Sequence, residues 1–122
     1  MSVKVFISYA TKDTAFADLV KSKIKELLPQ QNIEATEVFD VRSDLKVGAD
    51  IRQSIKSAIE EASTVLVVSS LGSDLSPWVN YEVGLADALG KELIFVEQEG
   101  AADSELHRRF FESARIIKIE NG

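Results

Sequence analysis

Short apolar runs alternate with longer amphipathic segments along most of this chain. The runs are rich in Val, Ile and Phe and are bounded by polar or turn residues, which is typical of buried strands. Four clear runs cover residues 3–9, 64–70, 92–96 and 114–119, and a weaker candidate covers residues 35–39. The pattern therefore predicts five strands.

The segments between these runs have the spacing of amphipathic helices. Apolar residues recur every three or four positions over residues 15–28, and Pro29 is expected to close that helix. The same spacing predicts a second helix over residues 51–62. A helix with a weaker pattern is expected over about residues 103–111.

A further helix has the clearest boundary signals in the chain. Ser76 is a good N-cap residue, and Pro77 suits the first helical position. Gly90 can adopt the left-handed conformation that ends a helix. Gly84 and Ala88 are small and one turn apart, so we expect them to let this helix approach the sheet closely.

Alternation of strands and helices predicts the fold class. It favours an α/β protein with a five-stranded parallel sheet, right-handed crossovers and helices on both faces. Five strands suggest the flavodoxin-like order 2-1-3-4-5. Because no linker, repeat or low-complexity tract interrupts the pattern, one domain over residues 1–120 is expected.

Composition narrows the functional classes. The 122 residues include 20 acidic and 14 basic side chains, which gives a net charge of −6 and argues against a nucleic-acid partner. There is no cysteine and only one histidine, so we expect no metal site. No apolar run approaches the roughly 20 residues that span a bilayer, so we expect no membrane partner and a cytoplasmic location.

The predicted strand order also locates a ligand crevice. Ligands of such sheets bind beyond the carboxyl ends of the strands, at the point where connections diverge, here between the first and third strands. This rule selects residues 8–13, residues 69–74 and the helix that carries Trp78 and Glu82. Trp78 and Glu82 are four apart and share a helix face, although Trp78 covering the core and Glu82 in solvent is the simpler interpretation.

Several known uses of this architecture lack their residues here. The third strand ends in Val68-Ser69-Ser70, without the aspartate of a phosphoacceptor receiver. No glycine-rich phosphate loop follows the first strand, and no Walker A or Gly-x-Gly-x-x-Gly pattern occurs. A Ser-His-Asp hydrolase would have to recruit His107 from a polar segment without any nucleophile elbow in the sequence.

Four segments resemble the Toll/interleukin-1 receptor (TIR) domain family. Residues 5–9 (Val-Phe-Ile-Ser-Tyr) are similar to its first box, and residues 39–40 (Phe-Asp), followed by a loop, resemble its second strand and BB loop. Residues 76–82 are similar to its Ser-x-Trp-x-x-x-Glu stretch, and residues 82–86 (Glu-Val-Gly-Leu-Ala) look most like its prokaryotic branch. The resemblance implies the fold predicted above and an enzyme that cleaves NAD, in immune or defence signalling.

Under this resemblance Glu82 is the catalytic residue and NAD is a substrate, with no cofactor. Because nicotinamide leaves a cationic ring as a neutral molecule, one carboxylate that stabilises the oxocarbenium-like transition state suffices. The resemblance also implies which residues line the pocket: Trp78 forms a flat wall, the floor consists of Ser8, Tyr9 and Ala10, and the opposite side consists of Ser70 and Leu71. At the root of the BB loop, Asp40 would contact a ribose hydroxyl and Arg42 a phosphate. Asp40 capping its loop and Arg42 in solvent remain open alternatives.

The resemblance also implies partners and two other functions. Members of the family assemble through the BB loop, here Val41 to Asp50, with further copies or other TIR domains. A TIR interaction module without turnover is one alternative. A nucleoside deoxyribosyltransferase-like enzyme, with Glu82 as a covalent nucleophile, is another. The product isomer, the trigger and the choice between NAD and NADP stay open.

Overall fold

A computed structural model of the chain describes residues 4–30, 37–40, 51–69, 77–98 and 115–120. From residue 4 to residue 98 the described strands and helices alternate, apart from a short 3₁₀ turn at Thr11–Asp13, and a last described strand follows at Arg115–Ile119. The elements in chain order are β1 (Lys4–Tyr9), α1 (Thr14–Gln30), β2 (Glu37–Asp40), α2 (Ile51–Glu61), β3 (Thr64–Ser69), α3 (Pro77–Ala88), β4 (Glu92–Gln98) and β5 (Arg115–Ile119).

The described strands form one parallel sheet in the order β2-β1-β3-β4-β5. This confirms the predicted fold class and strand order. β1 lies between β2 and β3, with Ile7 in register with Asp40 on one side and Ser8 in register with Val67 on the other. The carboxyl ends of the strands therefore meet at one edge, where the crevice was predicted.

Each face of the sheet carries its own hydrophobic cluster. Side chains alternate between the faces along each strand, so Val5 and Ile7 point to α1 while Phe6 points to α2 and α3. The α1 side includes Phe16, Val20 and Leu28, among others. The α2 and α3 side includes Ile55, Ile59, Val79, Val83 and Ala86, among others. Both faces of the central strands are thus buried, which accounts for their nearly continuous apolar sequence.

Two boundaries differ from the prediction for a physical reason. Pro29 does not close α1, which continues to Gln30; Leu28 is buried in the core, and its packing outweighs the poor helix propensity of the proline. β4 runs to Gln98 instead of ending at Val96, because pairing with β5 continues past the last apolar residue. The remaining strand ends agree within two residues, and the predicted helix over 103–111 lies outside the described residues.

The two ends of α3 agree with the sequence signals, but the role predicted for Gly84 within the helix does not. Pro77 begins the helix, and Gly90, with φ of 71°, follows its end as predicted. Gly84 and Ala88 are exposed, and a Cβ at Gly84 would meet no atom within 4 Å. The prediction that they allow close approach to the sheet is therefore wrong, because Val79, Val83 and Ala86 form the inward face instead.

Candidate functional site

The candidate site begins with a polar residue in a central strand. Ser8 is fully buried and, by alternation, lies on the same face as Phe6 and Ala10, towards α2 and α3. α3 connects the carboxyl end of β3 to the amino end of β4, so its first turns lie near the carboxyl ends of the strands. Ser8, one residue before the end of β1, is therefore within reach of α3.

Glu82 of α3 meets Ser8 directly. The Ser8 hydroxyl donates a hydrogen bond of 2.7 Å to Oε1 of Glu82, whose side chain has no exposed surface. Glu82 shares the inward face of the helix with Val79, Val83 and Ala86. Because burying a carboxylate is costly unless polar groups compensate it, a glutamate in this apolar face is a candidate functional residue. The contact joins β1 to α3 near the carboxyl end of β1, at the edge of the sheet where the strand order predicts a ligand crevice.

A second carboxylate lies on the opposite face of β1. Tyr9 donates its hydroxyl to both carboxylate oxygens of Asp40, at 3.1 and 2.9 Å. Lys21 of α1 forms an ion pair with Asp40 and another, at 3.2 Å, with Asp18. Its ammonium group also lies 6.0 Å from the centre of the Tyr9 ring. We call Tyr9, Asp40 and Lys21 the β2 anchor, since they hold the last residue of β2 against α1.

Electrostatics within the β2 anchor favour the charged lysine. The hydrogen bond to Asp40 is the largest influence on Lys21, and it raises the pKa of Lys21 above its ordinary value of 10.5 although partial burial acts in the opposite direction. Asp40 is 4% exposed, so the cation that faces it compensates a buried charge.

The structure divides the residues that the sequence placed around one pocket. Ser8, Ala10 and Glu82 lie on the α2 and α3 face, whereas Tyr9 and Asp40 lie on the α1 face. The alternation of a strand separates Ser8 from Tyr9, although the two are consecutive. Ala10 is buried directly after β1.

Other residues named from the sequence cannot be placed. Arg42, Ser70, Leu71 and the loop from Val41 to Asp50 lie outside the described residues. Trp78 occupies the first turn of α3, but the description does not extend to its side chain.

Ser69, which the sequence analysis placed at this edge, lies on the same face as Ser8, and so do two polar residues that it did not assign to the site, Glu97 and Lys118. Ser69 ends β3 and is in register with Glu97 of β4, which is in register with Lys118 of β5. Lys118 forms an ion pair of 2.9 Å with Glu97, a side chain that is 2% exposed. A polar residue directly after a run of apolar ones, near the carboxyl end of the strand, is the sequence signal that Glu97 and Lys118 share.

The described ranges contain no candidate metal-binding cluster and no candidate membrane span. No three of their His, Asp or Glu side chains are grouped so as to hold a metal ion. None of the helices in those ranges is long and apolar enough to cross a membrane.

Solved structures with the same fold include two enzymes and the TIR domains of a larger assembly. A CMP N-glycosidase from Clostridium botulinum, BcmB, is 22% identical, with a TM-score of 0.54 over 98% of this chain and 89% of that one. The TIR domains of the activated Roq1 resistosome, which recognizes the pathogen effector XopQ, are 23% identical, with a TM-score of 0.57 over 80% of this chain and 58% of that one. A 2-desoxiribosyltransferase from Leishmania mexicana is 17% identical, with a TM-score of 0.53 over 78% and 64%.

The sequence itself matches a protein-family model over most of its length. No curated protein matched the chain. The family model of the TIR domain matches residues 5–119, which include all the described strands and helices except the first residue of β1. The predicted resemblance is thereby confirmed, and the chain belongs to the TIR domain family.

Proposed function

We propose that this chain is an N-glycosidase that cleaves the bond between nicotinamide and ribose in NAD, with Glu82 as its catalytic carboxylate. One observation carries the proposal. The Glu82 carboxylate is fully buried, accepts a hydrogen bond of 2.7 Å from Ser8, and lies near the carboxyl end of β1, at the edge where sheets of this strand order bind their ligands.

The reaction suits a site with one oriented carboxylate. When the bond from C1′ of the ribose to the pyridine nitrogen breaks, the electron pair stays with the nitrogen, and the cationic ring leaves as neutral nicotinamide. No acid has to protonate this leaving group, in contrast to ordinary glycosides. The positive charge that grows on the ribose is stabilised by Glu82 in a site shielded from water. Water then adds to C1′ and releases a proton, giving ADP-ribose, whereas attack by a substrate nitrogen gives a cyclic isomer.

Burial of Glu82 also bears on how the activity is controlled. A substrate can reach a side chain without exposed surface only after neighbouring groups move, so the described conformation of the single chain is a closed one. We propose that association with further TIR domains, through the loop from Val41 to Asp50, supplies this change. The Roq1 resistosome, an assembly with TIR domains, supports that idea. The proposed setting is immune or defence signalling inside the cell.

A nucleotide N-glycosidase acting on CMP is the second candidate. The observation in its favour is the match to BcmB, which extends over nearly the full length of both chains. A neutral pyrimidine base, however, leaves as an anion unless it is protonated, so this reaction requires an acid besides Glu82. The Leishmania neighbour keeps a deoxyribosyltransferase in consideration, and an interaction module without turnover is the remaining alternative.

A substrate panel separates these functions. Concentrated protein is incubated with NAD, with CMP, or with a deoxynucleoside plus a free acceptor base, and the released bases are quantified by chromatography. We expect free nicotinamide from NAD and no product from the other mixtures. Cytosine from CMP would establish the second candidate, and base exchange between deoxynucleosides the transferase. Release of no base by protein that is folded and associated would contradict every enzymatic candidate and favour the interaction module.

A further inference from the structure

A row of three polar side chains continues across the sheet beyond Ser8 and Glu82. Ser69, Glu97 and Lys118 occupy in-register positions at the carboxyl ends of β3, β4 and β5. We call them the polar row. Each follows apolar residues on its own strand; these are buried on β3 and β4 and half-buried on β5, where the buried Ile119 follows Lys118.

The polar row lies on the face that carries Glu82. Val65 and Val67 of β3 and Leu93 and Phe95 of β4 belong to the cluster packed against α2 and α3. Ser69 and Glu97 are two residues further along these strands, so alternation directs them to the same side. The polar row and Glu82 are therefore parts of one side of the molecule, whereas the β2 anchor is on the other.

The distance between the two groups suits a long substrate. Ser8 is in register with Val67, which is in register with Phe95, two residues before Glu97. Two strand spacings and two residues along a strand place the Cα atoms of Ser8 and Glu97 roughly 12 Å apart. A single ribose cannot contact both Glu82 and Glu97 over such a separation, but the two ends of a dinucleotide can.

Burial of the Glu97 carboxylate is unfavourable for the stability of the fold unless the residue also has another role. Its side chain is 2% exposed, and an ion pair that removes a carboxylate from water seldom adds to stability compared with apolar residues. One structural role is available: Lys118, on the last described strand of the sheet, points a charge inward and so discourages pairing with another sheet, with Glu97 as its counter-ion. The test below distinguishes that role from ligand binding.

We propose that the polar row binds the second ribose of a dinucleotide, with the Glu97 carboxylate accepting hydrogen bonds from its hydroxyl groups. The proposal rests on the function proposed above and names the part of NAD that the crevice selects. A carboxylate can accept about four hydrogen bonds, so the ion pair with Lys118 does not by itself exclude a hydrogen bond from a ribose hydroxyl to Glu97. A 2′-phosphate in place of the hydroxyl removes the donor, so Glu97 favours NAD over NADP.

The test compares substrates that differ in the second ribose. Nicotinamide release by the associated wild-type protein, by Glu97→Gln and by the double variant Glu97→Gln/Lys118→Met is measured with NAD, NADP and nicotinamide mononucleotide, which lacks that ribose. We expect Glu97→Gln to lower kcat/KM for NAD roughly tenfold or more, since a hydrogen bond to a charged group is lost. For the mononucleotide we expect kcat/KM within about twofold of wild type. The preference for NAD over NADP should decrease by about the same factor as the NAD value.

Two variants control for structural effects. Glu92→Gln breaks the ion pair of 3.6 Å that Glu92 forms with Arg115 between the same two strands at the opposite edge, and it should leave all three substrates unchanged. The double variant removes both charges of the polar row, so neither is left without its ion-pair partner, and it should reproduce the loss for NAD. An equal loss for NAD and the mononucleotide, or no loss for NAD in a folded variant, would overturn the proposal and leave the structural role.

A binding measurement separates this proposal from the proposed function. ADP-ribose, which contains both riboses, and ribose 5-phosphate are titrated calorimetrically into wild type and Glu97→Gln. We expect the wild type to bind ADP-ribose more tightly, and the variant to lose that advantage. If no substrate releases nicotinamide but this difference is found, the polar row stands and the proposed function fails. If nicotinamide is released and Glu97 has no effect on either readout, the polar row fails alone. Absence of both activity and ADP-ribose binding contradicts both.

Discussion

At the scale of single residues, the end of β1 holds two carboxylates on opposite faces of the sheet. Ser8 donates to Glu82 on one face, and Tyr9 donates to Asp40 on the other. Both carboxylates are almost completely buried, and each comes from a distant segment of the chain. A two-residue stretch of one strand therefore fixes both the candidate catalytic group and the end of β2.

Replacing Ser8 tests its role in orienting Glu82. In Ser8→Ala the buried carboxylate loses a charge-assisted hydrogen bond, so we expect the free energy of unfolding to fall by about 1–3 kcal/mol. We also expect nicotinamide release to fall roughly tenfold, because the carboxylate is less well oriented. Urea unfolding and a nicotinamide assay measure the two effects. Ser22→Ala, at an exposed hydroxyl of α1, is the matched control, and unchanged activity in Ser8→Ala would refute the orienting role.

The β2 anchor predicts a pH dependence of stability. Because the pKa of Lys21 is raised in the folded state, the stabilising effect of its charge is complete below the ordinary value of 10.5 and is lost as pH rises through the folded value. At neutral pH we expect Lys21→Met to lower the free energy of unfolding by about 1–3 kcal/mol.

The measurement for Lys21 is urea unfolding at neutral pH and at a pH above the pKa of Lys21 in the folded protein. We expect the difference between wild type and Lys21→Met to become smaller at the higher pH. Lys25→Met, at an exposed position of the same helix, controls for the general effect of removing a lysine. A difference that stays constant or grows with pH would show that the charge of Lys21 does not support Asp40.

At the scale of elements, α3 combines a candidate site residue on its inward face with a glycine in open space on its outward face. Glu82 lies on its inward face, and Gly84 lies on the outward face with open space around it. Glycine in the middle of an exposed helix is unfavourable, whereas Gly90 after its end has the positive φ that glycine tolerates best.

Alanine at the two glycines should have opposite effects. We expect Gly84→Ala to raise the free energy of unfolding by about 0.5–1 kcal/mol, since it lowers the conformational entropy of the unfolded chain. Gly90→Ala should lower it by about 1 kcal/mol, because alanine is strained at φ of 71°. Thermal and urea unfolding of the two variants check the signs. A destabilised Gly84→Ala would mean that this face of α3 is packed in solution.

Sequence patterns predicted the elements well wherever apolar periodicity defines them. The strand order followed from alternation, and the helix from Pro77 followed from its capping signals. The pattern ended β4 too early because Glu97 is polar, although its pairing with Lys118 continues the strand. Neither pairing nor the packing that keeps Pro29 in α1 is visible in a local window of sequence.

Prediction of the candidate site had a similar limit. The topological rule placed Ser8 and Glu82 at the same edge of the sheet, and the structure brings them to 2.7 Å. It did not separate Tyr9 from Ser8, because a rule about the ends of strands contains no information on faces. The partner of Asp40 on α1, Lys21, depends on how the helix packs, so no motif indicates it.

At the scale of the whole molecule, the central feature is a candidate catalytic group that the single chain keeps covered. Glu82 has no exposed surface, so the proposed turnover requires a conformational change that opens a path to this side chain. If association with further copies supplies it, the protein concentration controls the activity.

Dilution should therefore inactivate the protein. We expect nicotinamide release per molecule to increase with protein concentration and to level off when the protein is associated, as followed by light scattering on the same samples. The physical reason is that the open state is stabilised only by contacts between copies. An inert protein added to the same total concentration is the control for crowding and surface loss. A constant activity per molecule over a wide concentration range would contradict control by association.

Removal of the Glu82 charge without a change in its shape is the most direct test of the account. Nicotinamide release from NAD is measured for associated wild type, Glu82→Gln and the control Asp87→Asn, which removes one charge at an exposed position of α3. We expect Glu82→Gln to fold and associate like wild type and to lose at least about a hundredfold in rate, with Asp87→Asn unchanged. A folded Glu82→Gln protein that releases nicotinamide at the wild-type rate would contradict the assignment of Glu82 as the catalytic residue.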